Sequence, residues 1–270
     1  MSKVHKAIIE VSAEYFSVCM NILDGHTRSI FSIVLSPDGQ SLFSGSMDYT
    51  IMKWNLTDGK CMRILKGHTK AVLFILLSPD GKSLFSGSAD KTIRVWNLAD
   101  GECMNILKGH TKAVLFILLS PDGQSLYYGS ADKTIRVWNL ADGECMNILK
   151  GHKNWIQSLA ISPDGKSLYS GSADKTIRVW KTDDGECMNI LEGHTKMISS
   201  IVITPDGQIL YSGSVDQTIR MWNVADGECM KILEGHTGRI LSLAISPDRK
   251  SLFSGSDDKL IREWHIDIFD

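Results

Sequence analysis

A Gly-His pair recurs every 42 residues along the chain, with no insertion or deletion between copies. A strict period of this length predicts a repeat array such as a solenoid or a propeller, in which each unit packs against its neighbours. The repeat runs from about residue 17 to the C-terminus and leaves no linker between two domains. We therefore expect one domain over residues 16–270, preceded at residues 1–15 by an N-terminal arm or the remnant of a partial repeat.

Each unit has the pattern of four short strands. In the second copy, residues 71–78 are an apolar run of strand length, and Pro79-Asp80-Gly81 then favours a tight hairpin turn. Residues 83–89, 92–96 and 102–108 follow as three further strands separated by turn sequences. A single sheet of four such strands cannot bury both of its faces, so the pattern predicts an all-β propeller built from these sheets.

The repeated Gly-His, Ser-Pro-Asp-Gly and Ser-Gly-Ser-x-Asp sequences, with a third strand that ends in Trp, resemble the WD-repeat family over roughly residues 17–264. The family's Trp-Asp pair is replaced by Trp-Asn in four copies, by Trp-Lys at Trp180 and by Trp-His at Trp264. In that family each sequence repeat spans two blades, which implies that the strand at residues 16–23 completes the last blade. We expect six four-stranded blades closed by this N-terminal strand. The alternative is a seven-blade-like ring in which residues 7–11, AIIEV, belong to a partial blade.

A histidine, a serine, an aspartate and a tryptophan recur in every unit, and the first three are the residue types of a hydrolase triad. Catalysis needs one such set, whereas here the set is repeated, so we predict a structural role. The family resemblance implies a tetrad in which the turn Asp holds the His, the His meets a Ser, and the Ser reaches the indole N–H. The predicted tetrad residues, apart from the serine, are His26, Asp48, Trp54, His68, Asp90, Trp96, His110, Asp132, Trp138, His152, Asp174, Trp180, His194, Asp216, Trp222, His236, Asp258 and Trp264.

Two serines in each unit are candidates for the fourth member of the tetrad. In the third unit Tyr128 stands where the other copies have the first of these serines, at Ser44, Ser86, Ser170, Ser212 and Ser254. If that first serine makes the bond, the third blade has a weaker tetrad. Ser130 is the remaining candidate there.

Composition and spacing argue against several classes of function. The formal net charge of −2 gives no general attraction for nucleic acid or an anionic membrane, and no apolar run is long enough to span a bilayer. The six cysteines recur at the repeat period and lie a whole unit apart, so we expect buried, reduced thiols and no disulfides, as in an intracellular, cytoplasmic protein. Metal-ligand spacings and a glycine-rich phosphate loop are both missing, and we predict no metal, no cofactor and no enzymatic activity.

Positions that differ among the copies are where a partner could be recognised, because the repeat fixes the framework. Three such positions are the third and fifth residues after each His and the residue before each turn Asp. All three lie beside connections that share one end of each blade, and in the WD-repeat family this end resembles a peptide-binding surface. We predict a non-catalytic scaffold that binds a peptide or protein partner there, with Trp155 and Arg239 as the leading contacts. Further candidates are Phe31, Met47, Met197 and Asp257.

A charge asymmetry supports a second hypothesis. The residue before each Gly-His is basic in three successive units, at Lys66, Lys108 and Lys150, and acidic in the other three. Such a surface could read a phosphorylated or acidic segment. The candidate contacts are Arg28, Lys70, Lys112 and Arg239. A hydrolase is a remote third hypothesis.

Overall fold

The computed structural model describes residues 22–246 and 248–266, and all elements within these residues are β-strands. Blade 1 comprises β1 (Ile30–Leu35), β2 (Ser41–Ser46), β3 (Ile51–Asn55) and β4 (Cys61–Leu65). Blade 2 comprises β5 (Val72–Leu77), β6 (Ser83–Ser88), β7 (Ile93–Asn97) and β8 (Cys103–Leu107). Blade 3 comprises β9 (Val114–Leu119), β10 (Ser125–Ser130), β11 (Thr134–Asn139) and β12 (Cys145–Lys150).

The second half of the chain repeats this arrangement. Blade 4 comprises β13 (Ile156–Ile161), β14 (Ser167–Ser172), β15 (Ile177–Lys181) and β16 (Cys187–Leu191). Blade 5 comprises β17 (Ile198–Ile203), β18 (Ile209–Ser214), β19 (Ile219–Asn223) and β20 (Cys229–Leu233). Blade 6 has three described strands, β21 (Ile240–Ile245), β22 (Ser251–Ser256) and β23 (Ile261–His265). Every sheet is antiparallel with its strands in chain order, and the predicted four-stranded unit is confirmed in blades 1 to 5.

Blade 2 illustrates how local sequence sets the turns between strands. The first turn places Gly81 at φ +67°, and the Asp80 carboxylate accepts a hydrogen bond from the Lys82 backbone N–H. The last turn places Gly101 at φ +82° in the same left-handed region. The middle turn instead places Lys91 at φ 74°, a conformation that the sequence does not signal with a glycine. Its neighbour Asp90 stabilises that turn by accepting hydrogen bonds from both the backbone N–H and the hydroxyl of Thr92.

Neighbouring blades are joined by one recurring contact, which we call the inter-blade joint. In blades 2 to 6 the first residue of the first strand, which we call the inner strand, is a fully buried Val or Ile that packs against a glycine in the second strand of the preceding blade. A Cβ atom on that glycine would lie only 2.5–2.9 Å from the branched side chain, so no larger residue fits. The five joints are Gly45–Val72, Gly87–Val114, Gly129–Ile156, Gly171–Ile198 and Gly213–Ile240.

The equivalent joint between blade 6 and blade 1 is not formed among the described residues. A Cβ on Gly255 would meet no atom within 4 Å. Ile30, the counterpart of the buried residues at the other joints, is 48% exposed, and Ile33 on the same strand is 62% exposed. The surfaces of blades 1 and 6 that would meet in a closed ring are therefore both uncovered by the described residues. The strand predicted to close the ring lies, up to residue 21, outside the described residues, as do the arm at residues 1–15 and the possible partial-blade strand at 7–11.

Candidate functional site

The four tetrad residues form a continuous hydrogen-bonded chain in five of the six blades. The His Nδ1 atom lies 2.6–2.8 Å from the Asp carboxylate in all six blades. In five blades the His Nε2 atom lies 2.7–2.8 Å from a serine Oγ, and the Trp indole N–H donates to the same oxygen over 2.7–2.8 Å. Because the ionised carboxylate can only accept a hydrogen bond, Nδ1 carries the proton that faces the aspartate. In the neutral imidazole Nε2 is then the acceptor, and the serine hydroxyl donates to it.

The structure distinguishes between the two candidate serines of each unit. Ser86 is the tetrad serine of blade 2, bonded to both His68 and Trp96. Ser88, two residues later, instead donates to the Lys70 carbonyl oxygen over 3.2 Å and accepts from the Asp90 backbone N–H. The second serine therefore connects the Gly-His loop to the middle turn.

Blade 3 departs from this arrangement at Tyr128. The tyrosine is 1% exposed, and its hydroxyl, the His110 Nε2 and the Trp138 indole N–H have no hydrogen-bond partner within the described part of the chain. Ser130 does not substitute for the missing serine, because its hydroxyl donates to the carbonyl oxygens of Lys112 and Ala113. The interpretation of Ser130 as an alternative tetrad serine is therefore wrong.

The tetrad aspartates are ionised at neutral pH. Burial disfavours the charged form of Asp90, but hydrogen bonds from His68 and Thr92 outweigh this effect and hold the pKa of the carboxyl well below its ordinary value. At Asp48 burial again opposes ionisation, while bonds from Thr50 and His26 lower the pKa to about 2. Each carboxylate also accepts the backbone N–H of the residue after the histidine, as in the 3.1 Å bond from Thr69 to Asp90. The aspartate thus ties the Gly-His loop to the middle turn.

The tetrad has the distances of a hydrolytic triad, but a substrate cannot reach it. The tetrad serines are at most 2% exposed, and each oxygen is already bonded to the Trp indole. A serine nucleophile must be open to the substrate on one side, with its histidine free to exchange a proton. The arrangement is suited instead to linking a loop and two strands within a blade.

The positions that vary among copies lie together at the end of the blades that carries the Gly-His loops and the middle turns, which we call the histidine end. In every blade the residue before the turn Asp donates its backbone N–H to the carbonyl oxygen of the third residue after the His, over 2.8–3.0 Å. Ala173 and Trp155 form this pair in blade 4. The fifth residue after the His is a bulge in the inner strand, because the pairing register shifts there in all six blades. The sequence did not reveal this bulge, since its residue type differs from blade to blade.

The predicted partner contacts differ in how far they reach solvent. Trp155 is 48% exposed, Phe31 51% and Met47 41%, whereas Met197 is half-buried. The charged candidates, Arg28, Lys70, Lys112, Arg239 and Asp257, are all exposed. Arg239 donates its Nε hydrogen to the Asp257 carboxylate. Two of the sequence-predicted contacts therefore partly neutralise each other.

Two grooves lie at the opposite end of the blades. One of about 430 Å³ opens between blades 1 and 2, and one of about 450 Å³ between blades 2 and 3. Their walls include Pro37 and Asp80 in the first groove and Pro79 and Asp122 in the second, which are turn residues that repeat from blade to blade. Because these walls are so alike, the grooves offer little that distinguishes one blade from another. The histidine end is the better candidate site.

The described residues contain neither a metal-binding cluster nor a membrane-spanning helix. Over residues 22–246 and 248–266, no three His, Cys, Asp or Glu side chains are grouped so as to hold a metal ion. The same residues contain no helix long and apolar enough to cross a membrane.

The described cysteines, Cys61, Cys103, Cys145, Cys187 and Cys229, are free thiols. They are exposed or partly exposed rather than buried as expected, because they lie in the outermost strand, where no further strand covers them.

The repeated blades and their His-Asp-Ser-Trp tetrads define a repeat β-propeller. Residues 95–266 match a family model described as the WDR3 first beta-propeller domain. Residues 17–55 and 59–97 match the model of the WD domain, G-beta repeat. The chain therefore belongs to the WD-repeat β-propeller family, as its sequence predicted, and propellers of this family generally act as scaffolds for protein interactions. No curated protein matches the sequence.

Proposed function

We propose that this propeller is a non-catalytic platform that binds a peptide or protein partner at its histidine end. The observation that carries this proposal is the position of Trp155. The equivalent residues of the other blades are Ser29, Ala71, Ala113, Met197 and Arg239, so the framework does not require an indole here.

The surroundings of Trp155 favour recognition over internal packing. The side chain is 48% exposed, and within the described residues its indole N–H has no hydrogen bond. Exposed tryptophans are enriched among the few residues that dominate the binding energy of protein interfaces.

The cysteines suggest where the protein works. The free thiols of the outer strands fit a reducing compartment, and we propose a cytoplasmic location.

The test compares the parent chain with Trp155→Ala and with a matched control, Met188→Ala. Met188 is 49% exposed in the outer strand of the same blade, so the control removes a similarly exposed apolar side chain away from the histidine end. Each variant is first shown to be folded by circular dichroism and thermal unfolding. Partners are then captured from a lysate of the source cell, and the affinity of each purified partner is measured.

We expect a partner that Trp155→Ala binds about tenfold more weakly or worse, a loss of at least about 1.4 kcal/mol, and that Met188→Ala binds normally. A partner that all three proteins bind equally would show that recognition takes place elsewhere on the propeller. Equal loss in both variants would point to a general effect of exposed apolar side chains.

A further inference from the structure

Blades 2, 3 and 4 carry a dense set of lysines at the histidine end. Each of the three blades has one lysine just before its Gly-His pair, a second one or two residues after the His, and a third in its middle turn; for blade 4 the first of these, Lys150, is the last residue of β12. All are exposed, and none forms a salt bridge within the described residues. We call this set the lysine arc: Lys66, Lys70, Lys91, Lys108, Lys112, Lys133, Lys150, Lys153 and Lys175.

Hydrogen bonds hold the loops and turns of the arc in one surface. In blade 2 the Asp90 carboxylate bonds both His68 and the Thr69 backbone N–H, while Ser88 bonds the Lys70 carbonyl oxygen. The middle-turn lysines of the three blades have φ values of 74–77°, so their backbone conformation is the same each time. The backbone that carries the lysines therefore has a defined, hydrogen-bonded conformation.

Little negative charge offsets the arc. The carboxylates within it, Asp90, Asp132 and Asp174, belong to the tetrads and already bond a histidine and backbone N–H groups. In the other three blades the corresponding loops and turns carry charges of both signs: Asp24, Glu192, Glu234 and Asp257 stand beside Arg28, Lys196, Arg239 and Lys259. The histidine end thus has a strongly basic half, over blades 2 to 4, and a half of mixed charge, which the formal net charge of −2 conceals.

The floor between the lysines is made of small, half-buried or buried side chains. Its members include Ala71, Ala89, Ala113, Ala131 and Ala173. Small side chains let the backbone of a bound segment approach closely. Trp155, in blade 4, stands at one end of this floor.

From this arrangement we infer that the partner presents an acidic, extended protein segment, rich in Asp or Glu, which lies across blades 2 to 4 and places an apolar residue against Trp155. The inference rests on the proposed function and specifies the chemistry of the partner. Lysines steer and orient such a segment, and the mixed charge of the other three blades attracts it less than the arc does.

A nucleic acid fits this surface less well. A strand longer than the arc would extend over blades that carry Asp24, Glu192, Glu234 and Asp257 at this end. Single-stranded nucleic acids are also bound through several aromatic side chains on which successive bases stack, whereas the arc has Trp155 alone.

The test uses a fluorescein-labelled twelve-residue peptide of Glu and Asp with one Leu. Its binding to the full chain is measured by fluorescence anisotropy. The arc variant combines Lys70→Glu, Lys112→Glu and Lys153→Glu. The control combines Lys82→Glu, Lys166→Glu and Lys250→Glu, which changes the net charge equally at exposed lysines of the opposite end.

We expect the peptide to bind the parent and the control alike, to bind the arc variant at least about tenfold more weakly, and to lose affinity as salt is raised. Equal binding by the two variants would overturn the inference. Tighter binding of an oligouridylate of the same charge would overturn it in favour of nucleic acid. If the arc variant keeps a cellular partner that Trp155→Ala loses, the acidic-segment inference fails while the proposed function stands.

Discussion

Tyr128 stacks against Trp138 in blade 3, with ring centroids 6.3 Å apart and planes inclined by 27°, at the position where the other blades have the tetrad serine. The tyrosine ring fills the space of the serine, but it leaves polar atoms of His110 and Trp138 without partners among the described residues. Blade 3 has therefore exchanged hydrogen bonds for aromatic contact. Burial also raises the pKa of Tyr128 well above its ordinary value, so the hydroxyl stays neutral.

We predict that Tyr128→Phe stabilises the protein by about 1 kcal/mol, because it removes a buried hydroxyl that lacks a partner and keeps the ring. The measurement is the free energy of unfolding from urea denaturation. Tyr169→Phe is the matched control, since the Tyr169 hydroxyl interacts with Ser167 and its loss brings no gain. A less stable Tyr128→Phe variant would mean that the hydroxyl is satisfied in the folded protein.

The inter-blade joint leads to a second prediction, which concerns two equivalent glycines. In Gly213→Ala the new Cβ would lie 2.5 Å from Ile240, so we expect a loss of about 1–3 kcal/mol from overpacking. In Gly255→Ala no atom lies within 4 Å of the new Cβ, and we expect little change. Urea denaturation of both variants measures the difference. A loss in Gly255→Ala as large as that in Gly213→Ala would show that Gly255 is covered in solution, with Ile30 as the equivalent partner in a closed ring.

The tetrad aspartates lead to a prediction about acid stability. Their carboxyl pKa values are lowered in the folded state, to about 2 for Asp48, against an ordinary value of 3.8. The stabilisation is thus complete above about pH 4 and is lost as the pH falls towards 2, because the unfolded chain takes up protons first. We expect Asp48→Asn to be less stable at pH 7 and to lose less stability between pH 4 and pH 2 than the parent. Denaturant unfolding at several pH values tests this, and an unchanged slope would contradict it.

The sequence was sufficient to predict the fold because the evidence for it is local and repeated. The strand patterns and the Asp-Gly turns each depend on neighbouring residues, and the period multiplies the signal. Ser86 and Ser88 could not be told apart in the same way, because they lie two residues apart on one strand and so share a face. His68 belongs to the Gly-His loop, which lies outside that strand. Its contact with Ser86 rather than Ser88 decides which serine completes the tetrad.

Other features depended on contacts that no local pattern encodes. Arg239 and Asp257 were predicted as separate contacts, but hydrogen bonding across the blade brings them together. The left-handed turn at Lys91 has no glycine to mark it. The exposure of Ile30 could not be predicted either, because its equivalents in the other blades, such as Val72, are buried.

The inter-blade joint has a consequence for how such a chain can change during evolution. Because the same Val or Ile meets the same glycine at each described joint, a unit of 42 residues can be duplicated or deleted and its neighbours will still fit. The near-identity of the second and third units is what a recent duplication would leave behind. A single recombination event could thus alter the number of blades without creating a new kind of contact, while later substitutions at the histidine end give each blade its own chemistry.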